Sequence, residues 1–126
     1  MDVTLGRQLQ HTHTVDDQDT AVAVGSGDVP VLATPRMIAW LEAVTAELSD
    51  ADEFYTSVGV RIDIEHLRPS PVGTTVTCSA EVIEIDGRNV VYGVRATQDH
   101  NGREVVAGEG RITRVSVDRK RFLEAL

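Results

Sequence analysis

The sequence predicts an α+β fold in which one antiparallel sheet curls around a single long helix. Two observations carry this. From Met37 to Leu48 nine of twelve residues are apolar, Glu42, Thr45 and Glu47 being the exceptions. A helix apolar on most of its sides must be surrounded by other structure. The chain that follows it falls into stretches of period-two hydrophobicity separated by turn residues, the pattern of hairpin-linked strands with one buried face.

Taken in order, Gln8 to Val15 alternates as a strand, and Thr20 to Val24 reads as a second, ending in Gly25-Ser26-Gly27. The helix opens at Thr34-Pro35, where Thr is a capping residue and Pro suits the first turn. Val58 to Glu65 is the cleanest strand, with Val58, Val60, Ile62 and Ile64 on one face and Gly59, Arg61, Asp63 and Glu65 on the other. Pro69, Ser70, Pro71 and Gly73 break the chain. Thr75 to Ile85 follows, carrying Val76, Cys78, Ala80 and Val82 on one side, and Asp86-Gly87 is a hairpin signal. Val90, Tyr92, Val94 and Ala96 mark the next strand, closed by Asp99-His100-Asn101-Gly102. A last strand runs from Glu104 to about Val115. On it Gly108 and Gly110 share a face with Val106 and Ile112, which permits a close approach or marks a bulge. Arg119 to Leu126 suggests a short terminal helix.

At 126 residues the chain is expected to form one domain over 1–126, large enough for a single core. A net charge of −8 with twelve basic residues argues against a nucleic-acid footprint, which needs clustered Lys and Arg. The helix falls short of the roughly eighteen unbroken apolar residues of a membrane span, so no membrane partner is expected. Cys78 is the one cysteine, which excludes an internal disulfide and points to a reducing compartment. With no leader pattern in Met1-Asp2-Val3-Thr4, the expected location is the cytoplasm.

Three residues could carry chemistry. Thr34 is either a plain cap or a hydroxyl placed beside free N–H groups and the positive end of a helix, where an oxyanion is stabilised. Glu42 lies eight residues on, among Ile38, Ala39, Thr45 and Ala46. It is either on the helix's wet edge or a functional carboxylate in poorly solvating surroundings. His66 continues the parity of Ile62 and Ile64 and projects where the strand ends. It is either a satisfied rim histidine or a general acid/base. His11 and His13 share a strand face at metal-compatible spacing, but no third ligand is near in sequence, so no metal is expected. No P-loop, nucleotide fingerprint or Ser elbow occurs, and no cofactor is expected.

In order and spacing, Ala33-Thr34, Glu42, Gly59 and His66, followed by the Pro71-Val72-Gly73 break and the Thr/Val-rich strand, resemble the fluoroacetyl-CoA thioesterase group of hot-dog-fold proteins. The likeness extends over roughly residues 5 to 120 and includes the Asp86-Gly87 hairpin. It implies a hot-dog fold and a homodimer, or a higher homo-oligomer, whose sheets join edge to edge with active sites at the interface. It further implies hydrolysis of a short or small acyl-CoA to free acid and CoA. In that scheme Thr34 is nucleophile or positioner of water, His66 the acid/base, Glu42 a base or orienter, and Gly59 a substrate-binding position. One departure stands out. Ser26 to Leu32, where aromatic lid residues of the fluoroacetate-resistance enzyme should fall, holds no Phe, Tyr or Trp. That argues against selectivity for the fluorinated acyl group and leaves thioester chemistry in place. The rival readings are a non-catalytic acyl-CoA-binding dimer, in which Thr34 is only a cap, and a hot-dog enoyl-CoA hydratase. The hydratase would need an Asp and a His five residues apart near residue 34, and that pair is missing.

Overall fold

The structure, a computed structural model, describes residues 3–126; Met1 and Asp2, the start of the N-terminal segment read above, lie outside the described residues. The chain runs β1 (Gln8–Thr14), a 3-10 turn (Asp17–Asp19), α1 (Ala21–Val24), α2 (Thr34–Leu48), β2 (Tyr55–His66), β3 (Thr75–Asp86), β4 (Asn89–His100), β5 (Arg103–Asp118) and α3 (Arg119–Glu124). The five strands form one antiparallel sheet in the order β1-β3-β4-β5-β2. Both turns read from sequence form. Gly87, at φ +61°, opens the two-residue loop between Asp86 and Asn89, and Asn101-Gly102, both at positive φ, joins β4 to β5.

The inner face of the sheet supplies Val76, Cys78, Ala80, Val82, Val90, Tyr92, Val94, Ala96 and Ile112 to the core. From α2 come Met37, Leu41, Val44 and Leu48, all fully buried. At about 1.5–3 kcal/mol per buried side chain these four contribute roughly 6–12 kcal/mol. Cys78 is buried, and burial pushes its thiol up to about 12. The helix is less enclosed than its composition suggests, because Ala39 and Ala43 face outward.

Three sequence expectations are corrected. Thr20–Val24 is not a strand. The Thr20 hydroxyl accepts from the Ala23 N–H (3.2 Å) and caps a one-turn helix that Gly25 closes at φ +83°. Ala-Val-Ala-Val suits either period over four residues, and the cap decides. The alternation of Val58, Val60, Ile62 and Ile64 is broken by a bulge between Gly59 and Arg61, with Val60 the extra residue. Ahead of the bulge, Ser57 is buried and Gly59 faces α2; after it, Ile62 stands opposite the buried Ile112. Val60 is 55% exposed on the sheet edge instead of sharing the core. A second bulge, at Ala107, separates Val106 from Gly108, so these two do not share a face across it as a regular strand would require.

Candidate active site

Among the described residues every helix but α2 begins with a side-chain cap: Asp16, Thr20 and Asp118 hold the other three starts. The start of α2 has Ala33 in the cap position and no capping side chain, with Thr34 and Pro35 already inside the first turn. The expectation that Thr34 caps the helix is therefore corrected. Its hydroxyl is committed elsewhere, to His66 Nδ1 at 2.8 Å. An uncapped helix start leaves backbone N–H groups open to a ligand, beside the positive end of the dipole.

Several constraints hold the two side chains together. His66 ends β2 directly opposite Gly108 of β5. A Cβ on Gly108 would lie 2.5 Å from Met37 Cε and 3.1 Å from the Glu65 carbonyl oxygen, so glycine leaves the space beside the strand that the Met37 side chain fills. Beyond His66, the Leu67 and Arg68 N–H groups both donate to the carbonyl of Ala107, the bulged residue (2.7 and 3.1 Å). Ser70, fully buried, donates to Gln98, whose amide in turn donates to the Pro69 carbonyl at 3.1 Å. On the other side, Ala33 N–H donates to the Asp19 carbonyl and Leu32 N–H to that of Ser70, both at 2.8 Å. Thr34 and His66 thus sit on pinned backbone.

A pocket of about 350 Å³ opens at this pair, walled by Ala21, Val29, Leu32, Leu67 and Arg68. Burial pulls the His66 imidazole below its ordinary value, only partly offset by the Arg68 backbone beside it. The ring is accordingly neutral at pH 7, as a proton acceptor must be. Its Nε2 is buried with no partner, a polar atom that a substrate or another chain could satisfy.

Glu42 stands elsewhere. Its carboxylate lies against Gly59, where an added Cβ would come within 2.5 Å of Oε2, and 3.7 Å from Nη1 of Arg114. Arg114, almost fully buried, donates from Nε to Ser57 Oγ (2.7 Å) and from Nη2 to the Ser57 carbonyl (2.9 Å). Burial lowers its pKa, while Glu42 and Tyr92 act to raise it. Within one chain the structure therefore makes two groups, Thr34 with His66 and Glu42 with Gly59 and Arg114. Arg114 is not among the residues that the sequence singles out. Its signal was parity: Arg114 lies two residues after the core residue Ile112, on the same side of β5. Of the other arginines, Arg68 lines the Thr34–His66 pocket, and Arg36 pairs with Asp19 at 3.3 Å.

The histidines of β1 are tied to α2. His11 Nε2 meets Glu47 Oε2 at 2.7 Å, and His13 stacks on Trp40 with ring centroids 4.3 Å apart.

The family model described as fluoroacetyl-CoA-specific thioesterase matches residues 15–120. Among similar solved structures is the fluoroacetyl-CoA thioesterase FlK, at 23% identity, covering 99% of this chain and 96% of that one with a TM-score of 0.85. A hypothetical protein of Thermus thermophilus, a thioesterase superfamily member, matches at 20% identity over 98% of this chain and 90% of its own, TM-score 0.87. A hot-dog-like protein from Thermanaerovibrio acidaminovorans matches at 23% over 97% and 92%, TM-score 0.82. These likenesses establish the fold as a hot dog. No curated protein matches the sequence.

Proposed function

The chain belongs to the fluoroacetyl-CoA-specific thioesterase family and is a thioester hydrolase, and from that premise we propose that it cleaves small acyl-CoA thioesters with Thr34 and His66 at the reacting carbonyl. The observation that carries the assignment is the 2.8 Å contact between Thr34 Oγ1 and His66 Nδ1 at an uncapped helix start. A neutral His66 accepts the proton as the Thr34 oxygen, or a water held by it, adds to the carbonyl carbon. The oxyanion develops beside the open N–H groups of α2. As the C–S bond breaks, His66 returns the proton to the departing CoA sulfur; where Thr34 itself has attacked, water deprotonated by His66 then cleaves the acyl-Thr34 ester to free acid and restores the hydroxyl.

Glu42 belongs to the same reading through a second copy of the chain. β2 is an edge strand, paired only to β5, and Val60 and Ile62 are exposed along it. Such an edge calls for cover. Gly59 lies on that edge with the Glu42 carboxylate beside it. A copy joined there would carry Glu42 towards its neighbour's Thr34–His66 pair and the unpartnered Nε2 of His66. Gly59 then serves substrate binding by leaving room at the seam.

The acyl group is small and not selected for fluorine, since the pocket wall from Ser26 to Leu32 carries no aromatic ring. Among the described residues no helix is long and apolar enough to cross a membrane. Residence in the cytoplasm is part of this proposal, supported by the lone free cysteine. The test is a panel of acetyl-, fluoroacetyl-, butyryl- and longer acyl-CoA, with release of free CoA measured. Turnover highest on small acyl groups, without a preference for the fluorinated one, is expected. CoA binding without release anywhere on the panel overturns the catalytic assignment.

A further inference from the structure

At the far end of α2 from Thr34 lies a second cavity, of about 200 Å³. The helix has 15 residues, which separates the two by roughly 22 Å at about 1.5 Å per residue. The polar groups lining this cavity are Ser49, Ser57, Tyr92, Arg114, Arg88 and Ser116. Among the described lining residues there are two arginines and no acidic one, against a whole-chain charge of −8. The hydroxyl protons of the inner serines are already spent: Ser57 Oγ donates to Ser49 Oγ (2.9 Å), which donates to the Ala46 carbonyl (2.7 Å). Two of the inner side chains keep donors to offer. Arg114 has five N–H groups and uses two of them on Ser57, with Nη1 no nearer than 3.7 Å to Glu42. The Tyr92 hydroxyl is buried without a hydrogen-bond partner among the described residues, and burial raises its pKa against the opposing pull of Arg114 and Arg7, keeping the proton on.

A polar atom buried without a partner is rare and asks for an explanation. Donors without acceptors beside a cation call for an acceptor-only anion. Val90 and Ile85 give the same cavity an apolar wall, suited to a short alkyl tail. The volume equals about seven water molecules of about 30 Å³ each, too little for a CoA and enough for an acid of a few carbons. From these observations we infer that the cavity binds a short-chain carboxylate, its two oxygens taking Arg114 and the Tyr92 hydroxyl.

The guanidinium of Arg114 stands between this cavity and Glu42, so an anion bound here competes with Glu42 for the same charge. A small acid, the class of compound that thioester hydrolysis releases, thereby reaches Glu42 from behind. This consequence rests on the role proposed for Glu42; the binding itself does not.

The test titrates sodium acetate and butyrate against the intact protein at fixed ionic strength, with chloride and inorganic phosphate as controls, following the melting temperature and amide chemical shifts. Wild type and His66→Ala should both show saturable binding of the carboxylates. Tyr92→Phe should weaken it at least about tenfold; that variant loses only an unpartnered hydroxyl and retains the ring in the core. Four results overturn the proposal: no saturable response, undiminished binding in Tyr92→Phe, loss in His66→Ala, or an equal response to phosphate or chloride. In turnover, acetate should lower kcat of the wild type at unchanged KM and leave Tyr92→Phe unaffected. Inhibition through KM alone overturns the link to Glu42. An inactive enzyme that still binds acetate would sink the thioesterase mechanism without touching this site.

Discussion

Gly59 and Glu42 are packed so that the missing side chain of one makes room for the carboxylate of the other: a methyl at Gly59 would sit 2.5 Å from Glu42 Oε2. Gly59 carries no left-handed φ, so its requirement is space alone. Gly59→Ala should therefore fold, displace the carboxylate from Arg114, and lower kcat/KM at least about tenfold, equivalent to about 1.4 kcal/mol of transition-state stabilisation. Steady-state kinetics together with a melting curve tests this. Wild-type turnover in Gly59→Ala would return Glu42 to a structural role.

Thr34 gives a cleaner separation of stability from catalysis than a capping residue could. Because Ala33 holds the cap position, Thr34→Ala forfeits only its hydrogen bond to His66, about 0.5–1.5 kcal/mol. Turnover should drop at least about tenfold, and Thr34→Ser should retain more of it than Thr34→Ala. Full kcat in Thr34→Ala would remove the hydroxyl from the mechanism.

If Glu42 serves the neighbouring chain, two inactive variants should rescue each other. Glu42→Gln and His66→Ala, each expected to lose at least about 10²-fold in kcat/KM, would when co-expressed form mixed dimers. One site in each mixed dimer would then have every group in place. Recovered activity in the co-purified mixture, absent from either variant alone, is the expected result. A mass by light scattering near the 13.7 kDa of one chain would rule out the arrangement, and Val60→Lys on the exposed edge should produce that monomer.

The imidazoles of His13 and His66 both stand below the ordinary value, chiefly because burial disfavours the cation, with His11 adding to the effect at His13 and Asp19 opposing it. Between those lowered values and about 6.5 the unfolded chain binds more protons than the folded one. Their contribution to stability is thus complete above about pH 6.5 and is lost as pH falls through it, levelling off once the folded histidines also protonate. Melting temperature should fall from pH 7.5 to 5.5, and less steeply in His13→Phe, which can keep a ring on Trp40. The acid limb of kcat/KM should have its midpoint below 6.5. A midpoint above it contradicts a buried His66 base.

Much of this was legible because the strongest local signals agree with the fold. The alternation of Val76 to Val82 and Val90 to Ala96, with Asp86-Gly87 and Asn101-Gly102 between strands, specifies three neighbouring strands and their inner faces. The spacing of Thr34, Glu42, Gly59 and His66 picked out four residues that the structure places in two contacts. What stayed hidden came from bulges and from competition for hydrogen bonds. Alternation cannot reveal that Val60 is an extra residue, and with it goes the face that Gly59 presents. Nor can composition decide whether a threonine oxygen meets a backbone N–H or an imidazole, a choice that depends on how closely the start of α2 lies against the end of β2. An inward arginine such as Arg114 is legible only through its parity with Ile112, two residues before it on β5.

Cys78 gives the molecule one last property, chemical silence. Its sulfur lies fully inside the core with the thiol held up to about 12, and it is the sole cysteine in the sequence. Thiolate, the reactive form, is therefore scarce at neutral pH and shielded where it exists. A thiol-directed dye added to the folded enzyme should register liberated CoA and nothing of the protein, so even slow variants can be followed at high enzyme concentration. The same silence makes labelling at Cys78 a clock for unfolding, because the sulfur becomes reactive only when the core opens.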